Sequence, residues 1–393
     1  MHKKASLSVI FITVFIDLMG FGILVPILPT FATKELGVSD FGIGIVIGIY
    51  SLTQFLLNPV FGKISDKIGR RPIVLISLLC TAVSYVIFSF STTFLMLLFS
   101  RILAGFGGSN VAVAQAYVAD ITAKEDRSKG MGLIGAAFGL GFVFGPVIGG
   151  WLSGYGYMYA GLASAAFSFM AFTFAFFALP ESHVKRDETR KIEFKVFDFQ
   201  YTRNILKLPT LGLLISLTFI TVFSVANIYG TFALLGYKVY GFTDRQTGYL
   251  FGIIGIMGAF MQGGMIRVLS KKYSDKSMIA WGTLLMAIGL GALPYGANFL
   301  GVALIVSVLG IGSGLLQPVL MSMVSKYSPE DQQGAILGVN QSFSSMARVL
   351  GPIWGGFTFE VIGYSSPFLT GGIFIFFTFI LILVFLKADK KNV

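Results

Sequence analysis

Asp17 stands inside an apolar run that begins at Leu7, in the stretch DLMGFGILVPILP. Two further charges keep similar company: Arg101 in FSRILAGFGGSN and Arg348 in SSMARVLGPIWGG. An ionisable side chain at the centre of a membrane helix costs about 2.5–3.5 kcal/mol on insertion scales, so each needs a use. A carboxyl group's proton affinity rises on desolvation and falls when a cation approaches. A carboxylate exposed in turn to two sides can therefore load a proton on one and release it on the other, and Asp17 is the candidate for that proton. Arg101 is expected either to tune Asp17 or to hold a polar network through its own segment. Arg348 either stabilises its half of the chain or faces a cavity. Asp120 and Glu360 fall nearer the ends of apolar runs.

Uncharged polar residues recur at the depth of a cavity: Gln54, Asn58, Asn110, Gln115, Asn227, Gln317, Asn340 and Gln341. Together with Arg348 they make a mostly apolar chamber with a few polar anchors. Each taken singly also reads as a helix–helix hydrogen bond. Metal and redox chemistry have little to build on. Cys80 is the only cysteine, and the two histidines, His2 and His183, lie in polar segments. There is no nucleophile–base constellation and no phosphate-binding loop, so neither an enzyme nor ATP-driven work is expected, and no cofactor.

The elements that must position these residues follow from composition. Of 393 residues, 55% are hydrophobic and 12% charged, against about 25% charged in an ordinary soluble domain. Twelve apolar runs are each long enough to cross a bilayer as a helix: 7–29, 41–62, 72–91, 93–117, 129–154, 157–179, 209–236, 245–269, 277–296, 299–324, 333–359 and 366–387. The first follows Lys3 and Lys4 as a signal peptide would, but it is too long, carries Asp17 and leads into further spans. It reads as an uncleaved first helix. Of the 29 Lys and Arg, three (Lys34, Lys238, Arg245) fall on one side and two (Arg101, Arg348) within spans, which leaves 24 on the other side. That bias places both termini in the cytoplasm. The net charge of +11 is thus read as topology and contact with anionic lipid rather than nucleic-acid binding.

One long polar segment divides the chain into bundles at 1–179 and 209–393, with a cytoplasmic linker at 180–208 between them. A short amphipathic helix is expected in it around Ile192–Phe199. The two halves look like copies. GMGLIGAAFGLGFVFGPVIGG (130–150) aligns without a gap on ILGVNQSFSSMARVLGPIWGG (336–356), pairing Gly132 with Gly338, Gly145-Pro146 with Gly351-Pro352, and Gly149-Gly150 with Gly355-Gly356. A six-plus-six repeat is a transporter architecture with a substrate site near the midplane.

Two motifs carry a family resemblance. GKISDKIGRRP after the second run has Gly62, Asp66, Lys67, Gly69, Arg70 and Arg71 at the spacing G-x-x-x-D-[RK]-x-G-R-R. The fifth run has Gly132, Gly141, Gly145, Pro146, Gly149 and Gly150 at the spacing G-x8-G-x3-G-P-x2-G-G. Both resemble motifs of the major facilitator superfamily, the second that of its drug/proton antiporters. RILAGFGGS matches the buried arginine of the family's fourth helix, and DLMGFGILVPILPT resembles the first helix of bacterial tetracycline/proton antiporters. The resemblance implies an all-α fold of twelve transmembrane helices in two pseudo-symmetric six-helix bundles. It implies a monomer in the cell (inner or plasma) membrane, whose partners are protons, a small hydrophobic substrate and membrane lipid.

It also implies a proton-coupled exporter of hydrophobic or amphiphilic molecules such as drugs, working by alternating access. Asp66 with Gly62, Gly69, Arg70, Arg71 and Asp120 would control the conformational balance, and the fifth-helix glycines would seal the packing. A lipid or glycolipid translocase of the same fold is the alternative reading, and a nutrient importer a more distant one. The tetracycline group carries further acids in helices three and nine; here the first position is Ser84, and IAWGTLLMAIGLGALPYG has none. Tetracycline is therefore not the expected cargo.

Overall fold

An apolar segment in lipid has no water to satisfy its backbone, so it must close its hydrogen bonds on itself as a helix. The computed structural model describes residues 6–123, 127–182, 199–329 and 332–385. Among these residues there are helices and no strand. Spans one to six are Leu7–Lys34, Asp40–Ile68, Arg70–Ser89, Phe94–Ile121, Gly130–Tyr155 and Tyr157–Ala178. Spans seven to ten are Pro209–Lys238, Asp244–Lys272, Asp275–Tyr295 and Phe299–Tyr327, and span twelve is Ser366–Phe385.

These eleven are long and apolar enough to cross a membrane. Span eleven, Gln333–Val361, is a helix of 29 residues but is less apolar, because NQSFSSMAR crowds polar side chains into about two and a half turns. The protein is an all-α, multi-pass membrane protein. A short helix, Phe199–Leu206, precedes span seven. The helix expected around Ile192–Phe199 falls, except for its last residue, outside the described residues, as do His2 and His183.

Several spans are interrupted where the sequence breaks helices. Span one runs as Leu7–Leu24 and Leu28–Lys34, parted around Pro26, whose ring nitrogen has no proton to donate. Span four runs as Phe94–Gly108 and Asn110–Ile121. Span eight contains a π-turn at Met261–Met265.

The chain divides into two compact units, Met1–Val38 with Ile49–Val196, and Ser39–Gly48 with Phe197–Val393. In the first, the core draws Val14 and Leu18 of span one and Leu78 of span three onto Val113 and Tyr117 of span four, with Ala137 of span five and Ala171 of span six. In the second, the core includes Leu214, Leu250, Met286, Val306, Ala347 and Ile375, one from each of its spans seven to twelve. Phe99, Phe177, Leu304 and Phe385 are among the large apolar side chains left exposed, which lipid explains and water would not.

The second unit includes the opening turns of span two, Ser39–Gly48. Lys238 Nζ meets Asp40 Oδ1 at 2.6 Å, and Glu360 Oε2 accepts the Phe41 N–H at 2.8 Å. A carboxylate at a helix N-terminus is favourably placed. A Cβ at Gly48 would come within 3.0–3.2 Å of Ile353 and the Val349 carbonyl, so this segment lies directly on the backbone of span eleven.

Candidate functional site

Asp17 is 6% exposed, and its two oxygens are held by neutral donors from two other spans. Asn110 Nδ2 donates to Oδ2 at 2.8 Å and Ser168 Oγ to Oδ1 at 2.8 Å. The interruption of span four supplies the first donor: the helix restarts at Asn110 after Ser109, and Asn110 is buried. The second comes from the small-residue face of span six, where Ser164, Ala165, Ser168, Ala171 and Ala175 are all buried. Two glycines of span one let the neighbours in. A Cβ at Gly20 would lie 2.8 Å from the Ser164 carbonyl and 3.2 Å from Ser168 Oγ. A Cβ at Gly22 would lie 2.6 Å from the Gly141 carbonyl and 3.1 Å from Gly145 Cα.

Span one is therefore clasped between the glycine motif of span five and the hydroxyl face of span six. Gly145 meets Gly22 and Gly149 meets Ile23 through backbone, and Gly141 meets Leu18 through its Cβ and backbone. Pro146 lies inside the helix and touches the Gly22 position. Gly132 faces open space. In the second unit the registers recur. Gly351 meets Phe223 and Asn227, Gly355 meets Asn227, and Gly338 faces open space. This likeness of packing supports the repeat read between the halves.

Arg101 does not pair with Asp17. Its guanidinium lies 5.7 Å from the Tyr85 ring centroid and 5.4 Å from that of Phe88. Nε approaches Ser100 Oγ at 3.4 Å and Nη2 has no partner. The aromatic faces supply part of what a carboxylate would, through cation–π attraction.

The other polar residues divide by what they touch. Gln54 Nε2 donates to Tyr50 Oη and to the Gly108 carbonyl, both at 3.0 Å, joining spans two and four. Asn227 Nδ2 donates to the Pro367 carbonyl at 2.6 Å, joining spans seven and twelve. Asn340 is buried with Nδ2 3.7 Å from Met321 Sδ. Arg348 Nη2 donates to Ser345 Oγ at 2.9 Å and is half-buried. Asn58 is half-buried with Oδ1 unpartnered, whereas Gln115, Gln317 and Gln341 are exposed. Among the described residues no cluster could hold a metal ion.

The loop between spans two and three is organised by Arg70. Its Nη2 meets Asp66 Oδ1 at 2.6 Å and its Nε meets Asp120 Oδ2 at 3.0 Å. Its Nη1 bonds Ser65 Oγ at 2.5 Å, with the Gly62 carbonyl at 3.4 Å. Arg71 Nη2 donates to the Phe176 carbonyl at 2.6 Å. Gly69 has φ +107°, a left-handed conformation suited to glycine, and ends span two so that span three can begin at Arg70.

Two residues of these sites escaped the sequence reading. Ser168 was marked only by its spacing from Ser164 within an apolar run. Glu181, the acid just past span six in LPES, accepts the N–H groups of Arg70 at 2.8 Å and Arg71 at 3.2 Å. It caps span three with a carboxylate. A Cβ at Gly69 would collide with that carboxylate.

The sequence model described as Major Facilitator Superfamily matches residues 10–271 and 265–393. The tetracycline resistance protein, class C, of Escherichia coli is 30% identical over 365 residues, covering 90% of this chain and 89% of that protein. The multidrug resistance protein 2 of Bacillus subtilis is 27% identical over 394 residues, covering 100% and 97%. The solved structure of the human organic anion transporter MFSD10 (TETRAN) aligns with TM-score 0.71 and 25% identity over 96% of this chain and 98% of that one. The nucleoside transporter NupG shares the fold alone, with TM-score 0.81 at 14% identity over 97% and 100%. Loop motif, glycine helix and fold thus agree with a match over nearly the whole length, and the chain belongs to the Major Facilitator Superfamily of membrane transporters.

Proposed function

We propose that this transporter is a proton-coupled exporter of hydrophobic or amphiphilic small molecules, that it works by alternating access in the cell membrane, and that Asp17 carries the coupling proton. The observation that carries this reading is Asp17 itself. A carboxylate buried at 6% exposure is held by neutral donors, so proton uptake there need break no ion pair. A proton moved inward down a membrane potential yields about 2.3 kcal/mol per 100 mV. Support for drug-like cargo comes from relatives named for tetracycline and multidrug resistance, and from the few polar anchors in an otherwise apolar span interior. The glycine clasp of span five on span one supports the antiporter assignment.

The test is transport in proteoliposomes under an imposed pH gradient, with ethidium, tetracycline, an organic anion and a fluorescent lipid as candidate cargo. The expected result is uphill accumulation of at least one hydrophobic cargo, collapsed by a protonophore and abolished by Asp17→Asn. Accumulation by the Asp17→Asn protein at the wild-type rate would remove Asp17 from coupling. Scrambling of the lipid alone would replace the exporter reading with a translocase.

A further inference from the structure

We infer that Ser168 is a positioning residue for proton exchange at Asp17, and that Asn110 belongs to the proton site rather than to the cargo cavity. The inference rests on the exporter reading and deepens it by assigning the proton to one oxygen. Asn110 meets Oδ2 through its amide nitrogen, which only donates, and Ser168 meets Oδ1 through a hydroxyl, which donates and accepts. When a proton arrives, Oδ2 can keep its bond from Asn110 as the carbonyl-type oxygen of the acid. The proton therefore belongs on Oδ1. There the new O–H needs an acceptor, and Ser168 Oγ supplies one if its own hydrogen turns elsewhere.

Ser168 Oγ makes its one hydrogen bond to Asp17, and helix geometry offers the alternative. The Ser164 carbonyl lies one helical turn back, where a serine hydroxyl finds its i−4 acceptor. Ser164 itself makes such a bond, to the Ala160 carbonyl at 3.0 Å. Gly20 is flanked by both members of this pair, the Ser164 carbonyl and Ser168 Oγ. One proton thus adds to Oδ1 from the aqueous side, the serine hydrogen turns from Oδ1 to the Ser164 carbonyl, and the new Oδ1–H donates to Ser168 Oγ in place of the bond that ran the other way. Release reverses both movements.

Few other ionisable groups interfere. Tyr85 of span three lies within electrostatic reach of Asp17, of Tyr50 on span two and of Arg101 on span four. Spans five and six bring glycine, proline, serine and phenylalanine against span one there, Phe142 and Phe167 among them, and the titratable side chains of those two spans, Tyr155, Tyr157 and Tyr159, lie at one end.

The ionised carboxylate loses more from deletion of the Ser168 hydroxyl than the neutral acid does, because charge-assisted bonds are roughly twice as strong. Ser168→Ala should therefore favour the protonated form about tenfold, a shift of about one pH unit in the midpoint. The measurement is an infrared titration of the purified, lipid-reconstituted protein, following the carboxylic acid band that Asp17→Asn removes. Ser168→Ala should move the midpoint of that band to higher pH. Thr173→Ala, which deletes a hydroxyl bonded to its own helix at the Phe169 carbonyl, should leave it in place. Asn110→Ala carries the same upward expectation and serves if Ser168→Ala fails to fold. An unchanged midpoint in folded Ser168→Ala overturns the inference, as does an unchanged midpoint in Asn110→Ala where Ser168→Ala fails to fold. The exporter reading fails separately, if Asp17→Asn vesicles still accumulate ethidium against its gradient.

Discussion

Gly145→Ala tests the clasp between spans five and one at its narrowest point. The added Cβ would lie 2.6 Å from Gly22 Cα, 2.7 Å from Gly22 C and 3.0 Å from Ile23 N. All three are backbone atoms, so no rotamer change can relieve the contact. To recover an ordinary separation of 3.4 Å, span one must retreat by about 0.8 Å. Asp17 lies about 7.5 Å along the same helix from Gly22. Its bonds to Asn110 and Ser168 are 2.8 Å long, and a displacement of that size is the difference between a made hydrogen bond and a lost one. Overpacking of this kind costs about 1–3 kcal/mol. If that falls on one of two alternating states, turnover drops roughly 5–150-fold. The assay is proton-driven uptake per folded molecule in proteoliposomes, with thermal unfolding in detergent to count what is folded. Gly132→Ala is the control, since its Cβ would meet nothing within 4 Å. Wild-type turnover in Gly145→Ala, or equal damage in Gly132→Ala, would refute the claim that these glycines work by backbone approach.

Three further outcomes follow from the same geometry. Asp66→Asn removes the carboxylate at 2.6 Å from Arg70 and should slow turnover while leaving the order of preferred cargoes unchanged; an altered order with normal turnover would place Asp66 in the cargo site instead. Arg70→Lys should slow turnover comparably, because a single ammonium cannot reproduce the fork that serves Asp66, Asp120 and Ser65 together. Unimpaired rates in the Arg70→Lys protein would make the fork incidental. Lys238→Met leaves the buried Asp40 without its 2.6 Å partner and should lower stability by about 1–3 kcal/mol. Adding Asp40→Asn should return part of that loss, and a thermal midpoint unmoved by the single change would contradict it.

The spans were legible because each apolar run is long and carries at most one or two charges. Span eleven sits at the edge of that rule: it was read as an apolar run at 333–359, and the structure makes it a long helix of lower apolarity than the other eleven. Asp17 announced itself by being a carboxylate among Leu, Ile and Phe. Its partners did not, because Asn110 and Ser168 lie 93 and 151 residues away, and nothing in a single sequence says which faces of three helices meet. The same limit acted on the candidate cavity. Gln54 and Asn227 read as anchors for a ligand, yet both bond carbonyls of neighbouring helices. The expected tuning of Asp17 by Arg101 takes no direct form, since the guanidinium lies over Tyr85 and Phe88. Glu181 was invisible for a different reason: its role depends on the left-handed turn at Gly69, which leaves the N-terminus of span three open to a carboxylate from the end of span six.

That cap has a consequence for biosynthesis. Asp66 and Arg70 are one turn apart and can pair as soon as their loop leaves the ribosome. Asp120 arrives 50 residues after Arg70, and Glu181 111 residues after it. At about 5–20 residues per second, the Arg70 and Arg71 amides wait roughly 6–22 s for their cap. Until then the N-terminus of span three is held only by water and lipid headgroups. The first unit should therefore stay open to proteases and to quality control at this loop until the sixth span has been inserted. A chain stalled before Glu181 should be cleaved there far more readily than one released just beyond it.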